Sequence, residues 1–288
     1  MNVKRWIILS VALMFVSAVA MSAGYAQDQC TAVYGSGSAS FSLATGSPGE
    51  LGLLEVLGEA FSEGENASLC WVKAGSGASL KLLKEKKVDM IMVHAPAAEK
   101  NAVADGWAIK RTLIGSNEFY IVGPANDPAG IAGAGSAVDA YARIAKAQVL
   151  FFSRGDNSGT HKKELTIWKM AGITPLGSWY IVTKDFMQAT LRRAHDEQGY
   201  FMTDSSTWIS EKRSLPSLKI LFRGDTILIN TYHALCQPAG ATLAASIAAE
   251  FIDFVASEKG QDIIRNYGKQ EYGEGLYNDA DYAGRYEN

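Results

Sequence analysis

The sequence predicts an α/β fold in which strands and helices alternate. Three short apolar runs rich in β-forming residues, at 88–93, 119–122 and 149–152, are too short to be buried helices. A segment with apolar residues at helical spacing, 53–61, precedes the first of these runs. Such alternation is typical of mainly parallel sheets that are covered by helices on both faces.

Further elements follow in chain order. Residues 40–43 alternate polar and apolar side chains at the strand period, just before the first helical segment. Gly123 and Pro124 end the run at 119–122, and the Gly-, Ala-, Asn-, Asp- and Pro-containing segment 124–136 is typical of a connection between lobes. The polar tail at 272–288 has no period, so we expect it to be poorly ordered or to lie on the surface.

The N-terminus has the features of a bacterial-type secretory signal. Lys4 and Arg5 precede an apolar run at 6–20, and small residues with a cleavage site after Ala26 follow. The run is shorter than the ~20 apolar residues that a membrane span needs. The sequence therefore predicts a signal peptide at 1–26 and a soluble, exported, periplasmic mature protein without a lipid anchor.

Charge and cysteine content narrow the function. Without Lys4 and Arg5, 25 of the 27 basic side chains remain against 30 acidic ones, a net charge of −5. This balance argues against nucleic acid as a partner but leaves room for a small anion. The cysteines are Cys30, Cys70 and Cys236, which allow one disulfide and one free thiol of unspecified pairing, and they lack the spacing of a zinc site.

Three junctions at which a helix is predicted to begin combine glycines with hydroxyl side chains. Ser47, Pro48 and Glu50 have the spacing of a capping box with Ser47 at the N-cap. The loop 75–77 precedes a second helix and 155–160 precedes a third. Free backbone N–H groups and the positive end of the dipole bind anions at helix N-termini, although each serine could instead only cap its own helix.

The third junction adds an arginine, which favours anion binding. Arg154 can offer a fork of N–H donors to two oxygens of a tetrahedral anion, and Ser158, Gly159 and Thr160 add further donors. Asp156 would repel an anion that it faced. We therefore expect Asp156 to hold the guanidinium of Arg154 in place.

Other interpretations of this loop have less support. Residues 154–156 spell the adhesion tripeptide Arg-Gly-Asp, which recurs by chance, and Ser158, His161 and Asp156 supply the residue types of a serine hydrolase. The chain has no GxSxG elbow, no phosphate-binding GxxxxGK[ST] loop and no HExxH metal site. Its four histidines are scattered singly, which is typical of packing or surface residues.

The sequence SRGDNSGTH at 153–161, with KKE after it and GSWY at 177–180, resembles the tungstate-binding proteins of bacterial ABC transporters. These belong to a larger group of periplasmic oxyanion-binding proteins that includes phosphate binders. Similar segments at 93–99, 121–128 and 203–208 extend the resemblance over most of the mature chain.

This resemblance implies a two-lobe periplasmic binding protein of type II, with mainly parallel sheets and a ligand cleft between hinge-linked lobes. The first lobe would contain 39–122 and 232–271, the second 123–231, and the tail 272–288. The ligand would be bound by residues of three loops: Thr45, Gly46 and Ser47; Gly75, Ser76 and Gly77; and Arg154, Ser158, Gly159 and Thr160, with Asp156 supporting Arg154.

The function implied by the resemblance is capture of an oxyanion, first of all tungstate, for delivery to the membrane permease of an ABC transporter. Molybdate, sulfate, phosphate or another anion, bound for uptake or for sensing, is the alternative, and a secreted serine hydrolase is the rival from another class. Tungstate, molybdate and sulfate only accept hydrogen bonds near neutral pH, so a site of donors alone favours them over phosphate. We expect a monomer with no cofactor, no catalytic residue and no metal bound by protein atoms.

Overall fold

The computed structural model describes residues 30–287, so the predicted signal peptide at 1–26 lies outside the described residues. The strands are β1 (Ala32–Tyr34), β2 (Ala39–Thr45), β3 (Ala67–Lys73), β4 (Met90–Val93), β5 (Ile109–Pro124), β6 (Phe151–Ser153), β7 (Tyr180–Val182), β8 (Tyr200–Asp204), β9 (Leu218–Phe222) and β10 (Ile229–Cys236). The helices are α1 (Ser47–Glu50), α2 (Leu53–Glu65), α3 (Ser76–Lys84), α4 (Pro96–Ala104), α5 (Ala137–Ala147), α6 (Gly159–Met170), α7 (Met187–Asp196), α8 (Ser205–Glu211), α9 (Ala245–Ala256), α10 (Glu258–Asn266), α11 (Lys269–Tyr272) and α12 (Ala280–Ala283). No helix between residues 30 and 287 is both long enough and apolar enough to span a bilayer.

The strands form one sheet path in the order β1-β3-β2-β4-β10-β5-β8-β6-β7, with β9 also paired to β5. Strand β2 pairs in parallel with β3 and β4, and β6 pairs in parallel with β7 and β8. The pairings of β5 and β10 are antiparallel. The α/β class predicted from the alternation of elements is confirmed, and the two long antiparallel strands join its two parallel parts.

The buried apolar residues form separate cores at the two ends of this path. One core contains residues from 119–228 and defines what we call the second lobe. Apart from Ile209, the other two clusters contain residues from 41–114 and 232–277, and they define the first lobe. Strands β5 and β10 run between the lobes, and Asn117 lies opposite Asn230 in their register. The finer domain boundaries expected from the sequence stay a prediction.

Two segments differ from what the sequence suggested. The segment 124–136, expected to connect the lobes, lies within the second lobe, where Ile131 is fully buried in the core. Backbone hydrogen bonds of β5 and β10 join the lobes instead, so the joining segments have the composition of strands rather than of a loop. The tail is ordered on the first lobe, because Leu276 and Tyr277 are buried and Asn278 pairs with Ser116.

A disulfide joins Cys30 to Cys70 in β3, and Cys236 is a free, buried thiol. The two bonded cysteines are 40 residues apart, and closing a loop of that length stabilises the folded state by about 3–4 kcal/mol in the chain-entropy description.

We expect the double substitution Cys30→Ser, Cys70→Ser to lower the free energy of unfolding by about this amount, about 3–4 kcal/mol. Urea unfolding of the mature protein followed by circular dichroism measures the effect. Cys236→Ala is the matched control that leaves the disulfide intact. Equal unfolding midpoints for the double variant and the wild type would contradict the prediction.

Candidate anion-binding site

The beginnings of three helices meet where the two lobes face each other. A Cβ built on Gly75, at the start of α3, would lie 3.2 Å from the Cβ of Ser158, at the start of α6. A Cβ on Gly77 would lie 2.5 Å from the carbonyl oxygen of Asn157. Any side chain at Gly77 would therefore push the lobes apart. The second and third loops of the predicted site are in contact across the cleft.

The start of α1 completes the group, but the capping role predicted for Ser47 is wrong. The N-cap of α1 is Gly46, Ser47 is its first helical residue, and no side chain caps the helix. The hydroxyl of Ser47 donates instead to Oδ2 of Asp204 in the second lobe, at a long distance of 3.5 Å. The helix begins one residue earlier than the capping-box pattern places it, so the Ser47 hydroxyl is not used by its own helix and instead faces the second lobe.

Ser76 does not cap its own helix either. The N-cap of α3 is Gly75, and the Oγ of Ser76 accepts a hydrogen bond from the backbone N–H of His94 at 3.3 Å. The side chain is buried. Because Oγ acts as the acceptor here, the hydroxyl proton remains available for a ligand.

Ser158 is a true N-cap, and the loop before it is tightly folded. Its Oγ accepts from the N–H of His161 at 3.2 Å. Gly155 and Asn157 have φ of +61° and +59°, the left-handed conformation that glycine and asparagine adopt most readily. The turn brings Oδ1 of Asp156 within 3.1 Å of the N–H of Ser158.

Arg154 is held in this loop by Asp156. Its Nε and Nη2 donate to Oδ2 of Asp156 at 3.1 and 2.5 Å, so the contact expected from the sequence is present. Burial alone raises the pKa of Asp156, but Arg154 and the hydrogen bonds from Ser158 outweigh it and hold that pKa below its usual value. Within residues 30–287, Nη1 of Arg154 has no hydrogen-bond partner, and the side chain is only 5% exposed.

Thr160, in the first turn of α6, has a buried hydroxyl without a partner among the described residues. An unsatisfied buried polar group costs about 1–3 kcal/mol. The N–H groups of Gly159 and Thr160 also lack intrahelical acceptors, because the first turn of a helix leaves them free. An anion at this helix start would satisfy all three donors.

Thr45 and Gly46 hold the first loop in place through contacts within the first lobe. The Thr45 hydroxyl donates to the carbonyl oxygen of Met92 at 2.9 Å, and its own carbonyl accepts from the indole N–H of Trp71 at 3.0 Å. The proton of this hydroxyl is therefore engaged within the first lobe. Gly46 lies close to the carbonyl oxygen of Ala74, which a Cβ would approach to 3.4 Å.

Beneath the site lies a chain of side chains that no sequence motif indicated. The Nδ1 of His94 lies 2.8 Å from Oδ1 of Asn230, and Nδ2 of Asn230 donates to Oδ1 of Asn117 at 2.7 Å. Nδ2 of Asn117 in turn donates to Oδ1 of Asp204 at 3.3 Å. Since a carboxylate only accepts, the chain has one direction, and it assigns the His94 proton to Nδ1.

His94 and Asp204, at the two ends of this chain, are buried in surroundings that favour their uncharged forms. Burial, reinforced by the charge of Arg154, lowers the pKa of His94 to about 3, so its imidazole is neutral at physiological pH. Burial raises the pKa of Asp204, which also accepts from the N–H of Thr207 at 2.8 Å as the N-cap of α8. In the sequence, Asp204 was indicated by the similarity of the segment 203–208 to the tungstate-binding proteins.

Ser158 and His161 do not form a nucleophile and base in this structure. The Oγ of Ser158 is bound by the backbone N–H of His161, whereas Nδ1 of the His161 ring accepts from the N–H of Asn157 at 3.0 Å. Burial lowers the pKa of His161. Each side chain thus supports the loop rather than the other.

Residues 32–259 match the family described as the PBP superfamily domain. A Haloferax volcanii protein, described provisionally as an ABC transporter anion-binding protein, is 39% identical over 225 residues, which cover 76% of this chain and 66% of that protein. The tungstate-binding protein TupA of Peptoclostridium acidaminophilum is 36% identical over 239 residues, 81% of this chain and 82% of its own.

A solved structure is similar as well. The tungstate ABC transporter structure from Geobacter sulfurreducens is 36% identical and has a TM-score of 0.72, with 80% of this chain and 100% of that chain covered. The family match over residues 32–259 spans both lobes and includes all three predicted loops.

Proposed function

The chain belongs to the PBP superfamily and, within it, to the family of ABC-transporter tungstate-binding proteins, and from this membership we propose that it captures tungstate between its lobes for uptake. Donors from both lobes would surround the anion. Ser47 and Ser76 would contribute from the first lobe, and Arg154 and the start of α6 from the second.

The observation that carries the proposal is the buried hydroxyl of Thr160, which has no hydrogen-bond partner among residues 30–287. It lies at the start of α6, a helix of 12 residues, directly after the loop that contains Arg154, whose Nη1 is not engaged by Asp156. A tetrahedral oxyanion offers several acceptors to such converging donors, and the helix dipole favours its negative charge. A cationic solute would leave these donors unsatisfied, and a neutral solute would gain little from the helix dipole and the arginine charge.

The carboxylates near the site support a ligand that carries no proton. Asp156 is engaged by Arg154 and Ser158, and Asp204 by Thr207 and Asn117. Because these carboxylate acceptors are occupied, the site should bind most tightly an anion that only accepts hydrogen bonds, as tungstate, molybdate and sulfate do. Phosphate, which keeps a proton near neutral pH, would find no free acceptor.

The proposal includes an exported protein, after removal of 1–26, that works as a monomer and hands the anion to a membrane permease. The metal would be enclosed within the oxyanion, so no protein atom would coordinate it and no cofactor is needed. No reaction is assigned to Ser158 or His161. Ester or phosphoester turnover that disappears in Ser158→Ala would contradict this part of the proposal.

Isothermal titration calorimetry of the mature protein with tungstate, molybdate, sulfate and phosphate tests the proposed ligand. We expect the tightest binding with tungstate and the weakest with phosphate. Absence of heat with all four anions would overturn the proposal, and a preference for phosphate would overturn the assigned ligand class.

Thr160→Val should separate binding from folding. It replaces the unpartnered hydroxyl by a methyl group, so the ligand-free protein should be as stable as wild type or more so, whereas tungstate affinity should fall by about 1.5–3 kcal/mol. Calorimetry and urea unfolding measure the two effects. The control is Thr166→Val on the exposed face of α6, where the hydroxyl donates to the Lys162 carbonyl. Wild-type affinity in Thr160→Val would remove this hydroxyl from the site.

A further inference from the structure

Phe186, the residue before α7 in the second lobe, contacts cations from both lobes. The Nζ of Lys73, at the end of β3 in the first lobe, lies 4.3 Å from the centre of the ring. The guanidinium carbon of Arg154 lies 5.4 Å from the same centre. Phe186 is half-buried, so the ring is partly shielded from water.

Lys73 is directed toward this ring by a second contact. Its Nζ forms an ion pair with Oε1 of Glu50 at 2.7 Å, and the Glu50 side chain is only 7% exposed. Glu50 ends α1, the short helix that begins at Ser47. The first lobe therefore holds the ammonium group in position before it meets the ring.

The Phe186 ring also lies beside the guanidinium of Arg154, which belongs to the same lobe. Asp156 takes the Nε and Nη2 donors of the guanidinium, and the ring lies within 5.4 Å of its central carbon. Attraction between a guanidinium and an aromatic face strengthens as water is excluded. Phe186 thus limits the freedom of the arginine whose Nη1 has no partner among the described residues.

We propose that the contact between Lys73 and Phe186 stabilises the closed lobes and sets the rate at which the anion leaves. The inference rests on the proposed function. Lys73 and Phe186 lie on opposite lobes, so their contact forms only when the lobes approach, and neither residue is among those assigned to the anion. A contact present only in the closed state slows opening and leaves the encounter with the ligand largely unchanged.

A double-mutant cycle tests this role. Tungstate release is followed by stopped-flow tryptophan fluorescence in wild type, Phe186→Leu, Lys73→Met and the double variant. Each single substitution should raise koff about three- to tenfold, the scale of a partly shielded cation–π contact, with little change in kon. The double variant should release the anion no more than about twice as fast as the faster single variant.

The cycle also removes the effect of the ion pair with Glu50, because that pair is lost equally in the presence and absence of the ring. Lys73→Arg should keep the wild-type koff, since a guanidinium also binds an aromatic face. Lys81→Met is the control, because this first-lobe lysine is 75% exposed and pairs with Glu85 of its own lobe. If Phe186→Leu does not fold, Lys73→Met and Lys73→Arg alone decide the question.

Unchanged koff in both single variants, or effects that multiply in the double variant, would overturn the inference while the proposed function stands. If wild type gives no calorimetric heat with tungstate, the proposed function fails by itself. In that case, the radius of gyration without added anion, measured by small-angle X-ray scattering, decides whether the contact between Lys73 and Phe186 stabilises the closed lobes. An increase in Lys73→Met over wild type and Lys73→Arg supports the contact, and equal radii overturn it.

Discussion

Gly159→Ala is expected to weaken tungstate binding by about 100-fold while the second lobe remains folded. This loss of affinity corresponds to the upper part of the range of free energies that overpacking typically costs. A Cβ on Gly159 would lie 2.3 Å from Cε1 of His94 and 2.7 Å from the His94 carbonyl oxygen, both in the first lobe. Gly159 itself is the first residue of α6, where alanine is a better helix former. The cost therefore falls on the approach of the lobes rather than on the helix.

His94 cannot easily move away from an added methyl group. Its ring is hydrogen-bonded to Asn230, lies tilted against the Tyr232 ring with 4.9 Å between the ring centres, and belongs to the polar chain that ends at Asp204. Because Asn117 and Asn230 lie opposite each other in the strands that join the lobes, a shift of His94 would disturb the connection itself.

Calorimetry with tungstate measures the loss, and Gly64→Ala is the matched control, since a Cβ there meets no atom within 4 Å. Adding His94→Ala to Gly159→Ala should recover only part of the affinity, because the carbonyl oxygen would still be in the way. Wild-type affinity in Gly159→Ala would mean that the anion is bound without the approach of the lobes seen here.

The sequence could predict the parts of this molecule that depend on neighbours along the chain. The apolar runs at 88–93 and 149–152 became β4 and β6, and the helical spacing at 53–61 became α2, because strand and helix periods are local properties. The Arg154–Asp156 contact was predictable for the same reason, since the two residues are separated by one position in a turn.

Other features depend on long-range contacts and left no local signal. The chain from His94 through Asn230 and Asn117 to Asp204 joins residues from four distant segments. Ser47 was misassigned as a cap because Gly46 and Ser47 can each begin a helix, and its contact with Asp204 in the other lobe is invisible along the sequence. The roles of the predicted site residues in binding stay a prediction until the ligand is measured.

Arg154→Ala is expected to reduce tungstate affinity by at least about 100-fold, because two losses combine. The anion loses a charge-assisted donor, which is worth about 1.5–3 kcal/mol. In addition, Asp156 is left in the cleft without its partner, and because its side chain is 17% exposed this loss should cost no more than about 3 kcal/mol, the lower end of the range for breaking buried ion pairs. Part of that second cost falls on folding, so urea unfolding must accompany calorimetry.

The double variant Arg154→Ala, Asp156→Ala separates the two losses. Removing the uncompensated carboxylate should restore most of the folding stability and part of the affinity, and the affinity still missing then measures the arginine donor itself. Arg143→Ala is the control, because this second-lobe arginine is 38% exposed and pairs with Asp139 one turn away. If Arg154→Ala binds tungstate within twofold of wild type, Arg154 has no part in the site, and the anion is held by the hydroxyls and helix N-termini alone.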